Sequence, residues 1–210
     1  MDKLKRIKEK MRQGSKVNIL CFGNSITHGF SVNGFGQVSH PYPQHLEGLL
    51  KKLYDNDSIR VINEGHNGWR CTEALPYLPE ILKKDSLDLI IMMFGINDAY
   101  SGYRPDYYQG KMEQMVQLIQ AQDIQIILMN PSPITTYLNA KVREYTPILQ
   151  KLAEEYQLTF FNLYEGLLAK AETEEMDLEL LLPDQVHLRD EQYVWIADLI
   201  FEALFRESQD

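Results

Sequence analysis

The chain has 210 residues, 44% hydrophobic and 24% charged, enough for one globular domain that buries most of its unfolded surface. Its formal charge of -9 argues against general nucleic-acid binding, which needs excess Lys and Arg to displace counterions. No apolar run approaches the roughly 18 residues of a membrane span, and the first residues lack the apolar core of a secretory signal.

Residues 1–16 carry seven basic side chains against two acidic ones, a net +5, which leaves -14 for the remainder. Leu4, Ile7 and Met11 fall on one helical face there, so a basic helix is expected to pack on or precede the domain. Such a helix could also touch an anionic surface.

From residue 17 onward short β-rich runs alternate with helical patterns, the signature of βαβ units around a parallel sheet. Strands are predicted at Val17–Phe22, Ile59–Asn63, Leu87–Phe94, Ile124–Met129 and Leu158–Leu163. The third is almost continuously apolar, as a central strand covered on both faces should be. Helices are predicted at Pro43–Tyr54, Thr72–Lys83, Pro105–Gln120 and Asn139–Tyr156. A last one, Arg189–Phe205, places Tyr193, Ile196, Ala197, Ile200 and Leu204 at helical spacing. The Gly/Pro-rich stretch Gly29–Pro43 reads as a long loop, and the acid-rich Glu172–Glu179 as a solvated helix or loop. No linker or repeat divides residues 17–210, so a single three-layer α/β domain is expected, a flavodoxin-like fold on a five-stranded, mainly parallel sheet. Ligands of such sheets bind beyond the C-terminal strand ends, and Ser25, Gly68 and Asn97 follow the first three predicted strands.

Ser25 comes after Gly23-Asn24 at a strand-to-helix turn. It reads either as a helix N-cap or as a nucleophile whose proton is held by a base. A base is on offer far downstream. In Asp184-Gln185-Val186-His187 a carboxylate three residues before an imidazole can reach its Nδ1 on a turn, fixing the tautomer and freeing Nε2. Gly95-Ile96-Asn97-Asp98 offers an amide donor to a developing oxyanion, or a turn in which Asn97 or Asp98 caps the next helix. In Asn63 to Gly68, two glycines allow a backbone N–H to approach a ligand. The five histidines show no metal-binding spacing, so no metal is expected. Two cysteines, Cys21 and Cys71, with no visible leader, point to a reducing cytoplasm.

These four segments, in this order, resemble the SGNH hydrolases, also called GDSL-type lipases and esterases, over about Val17 to Phe205. The resemblance implies a serine hydrolase that needs no cofactor and acts on a small-molecule ester. Ser25 would be the nucleophile, His187 the base and then acid, and Asp184 its orienter. The Ser25 and Gly68 backbone N–H groups and the Asn97 side chain would form the oxyanion hole. Asn24 stands where the family usually has Asp, and the helix after His187 lacks the Pro-Asn and Gly common in relatives. Gly68-Trp69-Arg70-Cys71-Thr72 is similar to arylesterase and thioesterase branches, which points to small acyl or aryl esters. Trp69, Tyr100 and Tyr103 follow site loops and Phe30, Phe35 and Tyr42 lie in the long loop after Ser25, where aromatics wall an acyl pocket, stack on a sugar ring or simply pack. Arg70 reads as a partner for an anionic alcohol moiety or for an acidic neighbour, and Trp69, Arg70 and Tyr100 are the candidate substrate contacts. A carbohydrate O-deacetylase, a lysophospholipase or thioesterase, and a catalytically silent binding domain are the alternatives. The oligomeric state is left open.

Overall fold

The computed structural model describes residues 3–84 and 86–206. Its sheet has five strands, β1 (Val17–Gly23), β2 (Ile59–Gly65), β3 (Leu89–Met93), β4 (Gln125–Met129) and β5 (Thr159–Phe161), in the order β2-β1-β3-β4-β5. All four pairings are parallel. Every residue of β1, β3 and β4 is buried, because helices cover both faces and leave no solvated side for polar alternation.

The helices are α1 (Lys3–Arg12), α2 (Ser25–His28), α3 (Tyr42–Tyr54), α4 (Cys71–Lys84), α5 (Ile96–Tyr100), α6 (Pro105–Gln120), α7 (Asn139–Glu155), α8 (Leu163–Thr173), α9 (Leu178–Leu181) and α10 (Tyr193–Ile200). The expected central helices stand within a residue or two of their bounds. Three expectations need correction. The fifth strand stops at Phe161, because Asn162 accepts a hydrogen bond from Glu165 N and caps α8. Leu163, Leu167 and Ala171, all buried, are the apolar stripe of that helix. The final helix enters through a 3-10 turn at Asp190–Gln192 and leaves through a π turn at Phe201–Phe205. The long loop ends at Pro41, since Tyr42 already begins α3 with Pro43 in its first turn.

α1 lies on the domain. Leu4, Ile7 and Met11 are buried, Asn56 Nδ2 donates to Met11 O and Ser15 O, and Lys10 pairs with Asp88. The acid-rich stretch forms the end of α8, a turn and the start of α9, with its carboxylates mostly in solvent.

Two features set up the site. The chain passes from β1 to β2 on one side of the sheet and then to β3 on the other, so β1 and β3 frame a topological switch point. Register then makes three strand ends level: Gly23 pairs with Gly65 on one side and Met93 on the other. Behind β3, the stacked rings of Tyr108 and Tyr145 (centroids 4.0 Å apart) fill the space beside α6 and α7. Their hydroxyls donate to Phe94 O and Tyr103 O, so both buried phenols are satisfied and the loop after β3 is held.

Candidate active site

Ser25 sits at the end of β1, but it does not cap α2. Asn24 does, its Oδ1 accepting from Ile26 N at 3.0 Å. That leaves Ser25 as the first helical residue, whose backbone N–H has no acceptor within the helix. Its hydroxyl, at 8% residue exposure, is free for other work.

The hydroxyl meets the imidazole from the other end of the chain. Ser25 Oγ lies 2.9 Å from His187 Nε2, and His187 Nδ1 lies 2.7 Å from Asp184 Oδ2. The second Asp184 oxygen accepts the backbone N–H groups of His187 at 2.7 Å and Val186 at 3.0 Å, so the carboxylate closes its own turn. Gln185, at the crest, adopts φ +75°. Partial burial raises the Asp184 pKa, but the bonds from the His187 ring and the two backbone N–H groups outweigh it and hold the carboxyl below its usual range. An ionised Asp184 accepts a hydrogen bond from Nδ1–H, which keeps the proton on that nitrogen and leaves Nε2 with its lone pair toward Ser25. The segment is held in place by Gln185 O, which accepts from Thr135 N at 2.9 Å, and by the buried Leu181, Leu182 and Leu188.

Level with Ser25 are the other two loops. Gly65 lets β2 approach α2 closely: a Cβ there would stand 2.0 Å from His28 N. Gly68 takes φ +76° in an exposed turn, a conformation that suits glycine and turns its N–H off the strand line. Asn97 neither caps α5 nor stands alone. Its Nδ2 donates to Trp69 O at 2.9 Å, tying the loop after β3 to the loop after β2 and leaving a second amide hydrogen for a ligand. Asp98 is buried and accepts from Cys71 N at 2.9 Å, so it serves the start of α4 and not the next helix, as one expectation had it. Burial pushes its carboxyl up.

The candidate substrate contacts have partners within the protein. Arg70 forms a two-pronged pair with Glu73 and donates to Ser101 Oγ at 3.2 Å. Glu73 is drawn down to about 2 by that guanidinium. Trp69 stacks on His66 with centroids 3.8 Å apart, and the His66 ring meets Glu64 at 3.0 Å. Tyr100, half-exposed, donates to Thr136 Oγ1. Both cysteines are buried and unpaired, and burial pushes the Cys21 thiol up to about 12, so neither offers a thiolate. Among the described residues no group of three or more His, Cys, Asp or Glu is arranged to hold a metal ion, and no helix is long and apolar enough to cross a membrane.

The sequence marks Phe30 only as an aromatic of the long loop after Ser25 and marks Asp190 not at all. Phe30 packs against the His187 ring, 4.6 Å between centroids and tilted by 39°. Asp190 accepts from Ser31 Oγ at 2.6 Å across 159 positions of chain. Such pairs have no periodicity to betray them.

Known proteins resemble this chain in sequence and in fold. The model of the GDSL-like Lipase/Acylhydrolase family matches residues 21–195. An arylesterase of Vibrio mimicus is 23% identical over 90% of this chain and 88% of its own length. An acetylxylan esterase of Xylanibacter ruminicola is 24% identical over 90% of this chain, which spans 43% of that protein. The crystal structure of Axe2, an acetylxylan esterase from Geobacillus stearothermophilus, superposes with a TM-score of 0.78 at 22% identity, over 91% of this chain and 95% of that one.

Proposed function

The chain belongs to the GDSL-like lipase/acylhydrolase family, and on that premise we propose that it hydrolyses carboxylic esters, small acyl or aryl esters foremost, through an acyl-serine intermediate. The observation that carries the reading is the unbroken run Ser25 Oγ, His187 Nε2, His187 Nδ1, Asp184 Oδ2, assembled from chain positions 162 residues apart.

Ser25 Oγ bonds to the ester carbonyl carbon while its proton passes to His187 Nε2, and Asp184 stabilises the imidazolium. The carbonyl oxygen becomes an oxyanion, for which the Ser25 N–H, the Gly68 N–H and the spare Asn97 amide hydrogen are the donors. Asn24, neutral and buried, adds no negative charge beside that oxyanion. The tetrahedral adduct expels the alcohol, which takes the proton from His187. Water then attacks the acyl-enzyme by the same route, releasing the acid and restoring Ser25. Every proton is accounted for by His187, and no cofactor enters.

A carbohydrate O-deacetylase is the second reading, favoured by the relatives that are named acetylxylan esterases. The buried, unpaired Cys21 and Cys71 support a reducing, cytoplasmic setting, which cell fractionation tests. The test of the main reading is Ser25→Ala together with labelling by an organophosphonate. We expect turnover of p-nitrophenyl acetate to vanish and the label to appear on Ser25 of the intact protein. Hydrolysis at the unaltered rate in the variant would remove Ser25 from the reaction, and a preference for long acyl chains would replace the small-ester assignment with a lipid one.

A further inference from the structure

The segment from Phe30 to Gln37 is a closed strap. Phe30 and Gln37 pair as an antiparallel bridge, Ser31 N donates to Gly36 O at 2.9 Å, and Phe35 N donates to Ser31 O at 3.1 Å. It is pinned at its base from the C-terminal part of the chain. Ser31, itself buried, donates to Asp190 Oδ2, Val32 N donates to Asp190 Oδ1 at 3.3 Å, and Tyr193 donates to Phe30 O at 2.9 Å. The Ser31 hydroxyl also accepts from Asn33 N and Gly34 N.

The strap ends in a feature that folding alone does not account for. Phe35 is 85% exposed and has φ +53°, a left-handed conformation costly for a bulky residue. An isolated surface ring is ordinary, but the location of this one is not. Phe35 meets Phe30 edge-on with centroids 6.5 Å apart, and Phe30 lies on the His187 ring, so Phe35 stands two ring contacts from the base. His187 must return its proton to the departing oxygen, which places the alcohol half of an ester on the imidazole side of Ser25. The oxyanion donors at Gly68 and Asn97 belong to the loops after β2 and β3, while the strap belongs to the loop after β1 and is tied to the segment that carries His187.

We propose that Phe35 is a specificity-determining residue for the alcohol half of the substrate, selecting alcohols that present a flat ring, and that Asp190 is the positioning residue holding the strap beside His187. The proposal rests on the hydrolase reading above. The shared chemistry is a ring with an apolar face, whether the ring of a phenol or the face of a pyranose.

Three acetate esters test it, because all pass through the same acetyl-enzyme and differ only in the alcohol: phenyl acetate, an acetylated methyl glycoside and ethyl acetate. For Phe35→Ala we expect kcat/KM to fall roughly 3- to 10-fold on one or both ring esters, mainly through KM, and less than about 2-fold on ethyl acetate. Loss on phenyl acetate alone assigns a phenol, and loss on the glycoside alone assigns a sugar. Phe35→Tyr should retain the preference. Asp190→Ala should reproduce the ring-selective loss, and Asp190→Asn, which keeps an acceptor for Ser31, should retain the wild-type preference. Equal loss on all three esters, or none on either ring ester, overturns the proposal. So does a loss that grows along phenyl acetate, butyrate and hexanoate, which would put Phe35 on the acyl side. Wild-type protein that turns over none of these esters overturns the hydrolase reading itself, and this proposal with it.

Discussion

Ser25 and Asn97 hang from the ends of two fully buried central strands, whereas Asp184 and His187 sit on an irregular segment between α9 and the final helix. The first pair is placed by register: neighbouring strands fix Gly23, Gly65 and Met93 at one level, and moving any of them means moving the sheet. The second pair is placed by a few backbone bonds, the closure of Asp184 onto His187 N and Val186 N and the tie from Thr135 N to Gln185 O. The rigid half supplies the attacking atom and the charge-stabilising donors, while the loop-borne half supplies the group that must accept and release a proton. A substitution that displaces backbone on the strand side should therefore harm folding, whereas one on the loop side should harm chemistry and leave folding almost unchanged.

The sharpest separation is expected at Asp184→Asn. The amide oxygen can keep the two backbone bonds, so the melting temperature should hardly change. The amide N–H now faces His187 Nδ1 and favours the wrong tautomer, which cost about 10⁴ in turnover in another triad. A turnover number within threefold of wild type would take Asp184 out of the mechanism.

Next comes Asn97→Ala, which removes an oxyanion donor and the bond to Trp69 O together. Turnover should fall by about 10²–10³, or about 3–4 kcal/mol of transition-state stabilisation, with a smaller change in KM. A change in KM alone would assign the amide to substrate binding.

Gly65→Ala should break the strand side instead. Its Cβ would meet backbone atoms of Thr27 and His28, which cannot swing away, so overpacking should cost about 1–3 kcal/mol and lower the melting temperature. Gly68→Ala has nothing within 4 Å of the added carbon and pays only for its positive φ, so it should lose less. Equal losses at the two glycines would contradict the packing described for α2 and β2.

The smallest effect is one of pH. Glu73, drawn down to about 2 by its bonds to Arg70, contributes stability that is fully present above its ordinary value near 4.5 and is lost as pH falls toward 2. Glu73→Gln should flatten the loss of stability across that interval, read by denaturant unfolding at pH 5 and pH 2.5. The pair is partly exposed, so the difference should be small and should shrink further in salt.

Strand-side features were the legible ones. Apolar runs announced β1, β3 and β4, and glycine, serine and asparagine at their ends announced the loops. The pair Asp184 and His187 was legible for a different reason, its short spacing on a turn. What stayed hidden depends on contacts across long stretches of chain. Ser31 and Asp190 share no local pattern, and nothing near Asn97 points to the carbonyl of Trp69. α8 was obscured by its own beginning, where Phe160-Phe161-Asn162-Leu163 reads as the continuation of a strand until Asn162 is seen to cap. For Arg70 residue type offers a ligand or an acidic neighbour, and the structure has the neighbour, Glu73; for Trp69 it does not disclose the stacked ring of His66.

The order in which the two halves leave the ribosome follows from the 162 positions between Ser25 and His187. During synthesis the serine and its donors are made first and remain without their base until His187, 162 positions later, has emerged. A nascent or prematurely terminated product therefore carries an unarmed hydroxyl. Reactivity toward phosphonates should switch on only when α10 docks against α3 and α8, and could serve as a clock for that docking.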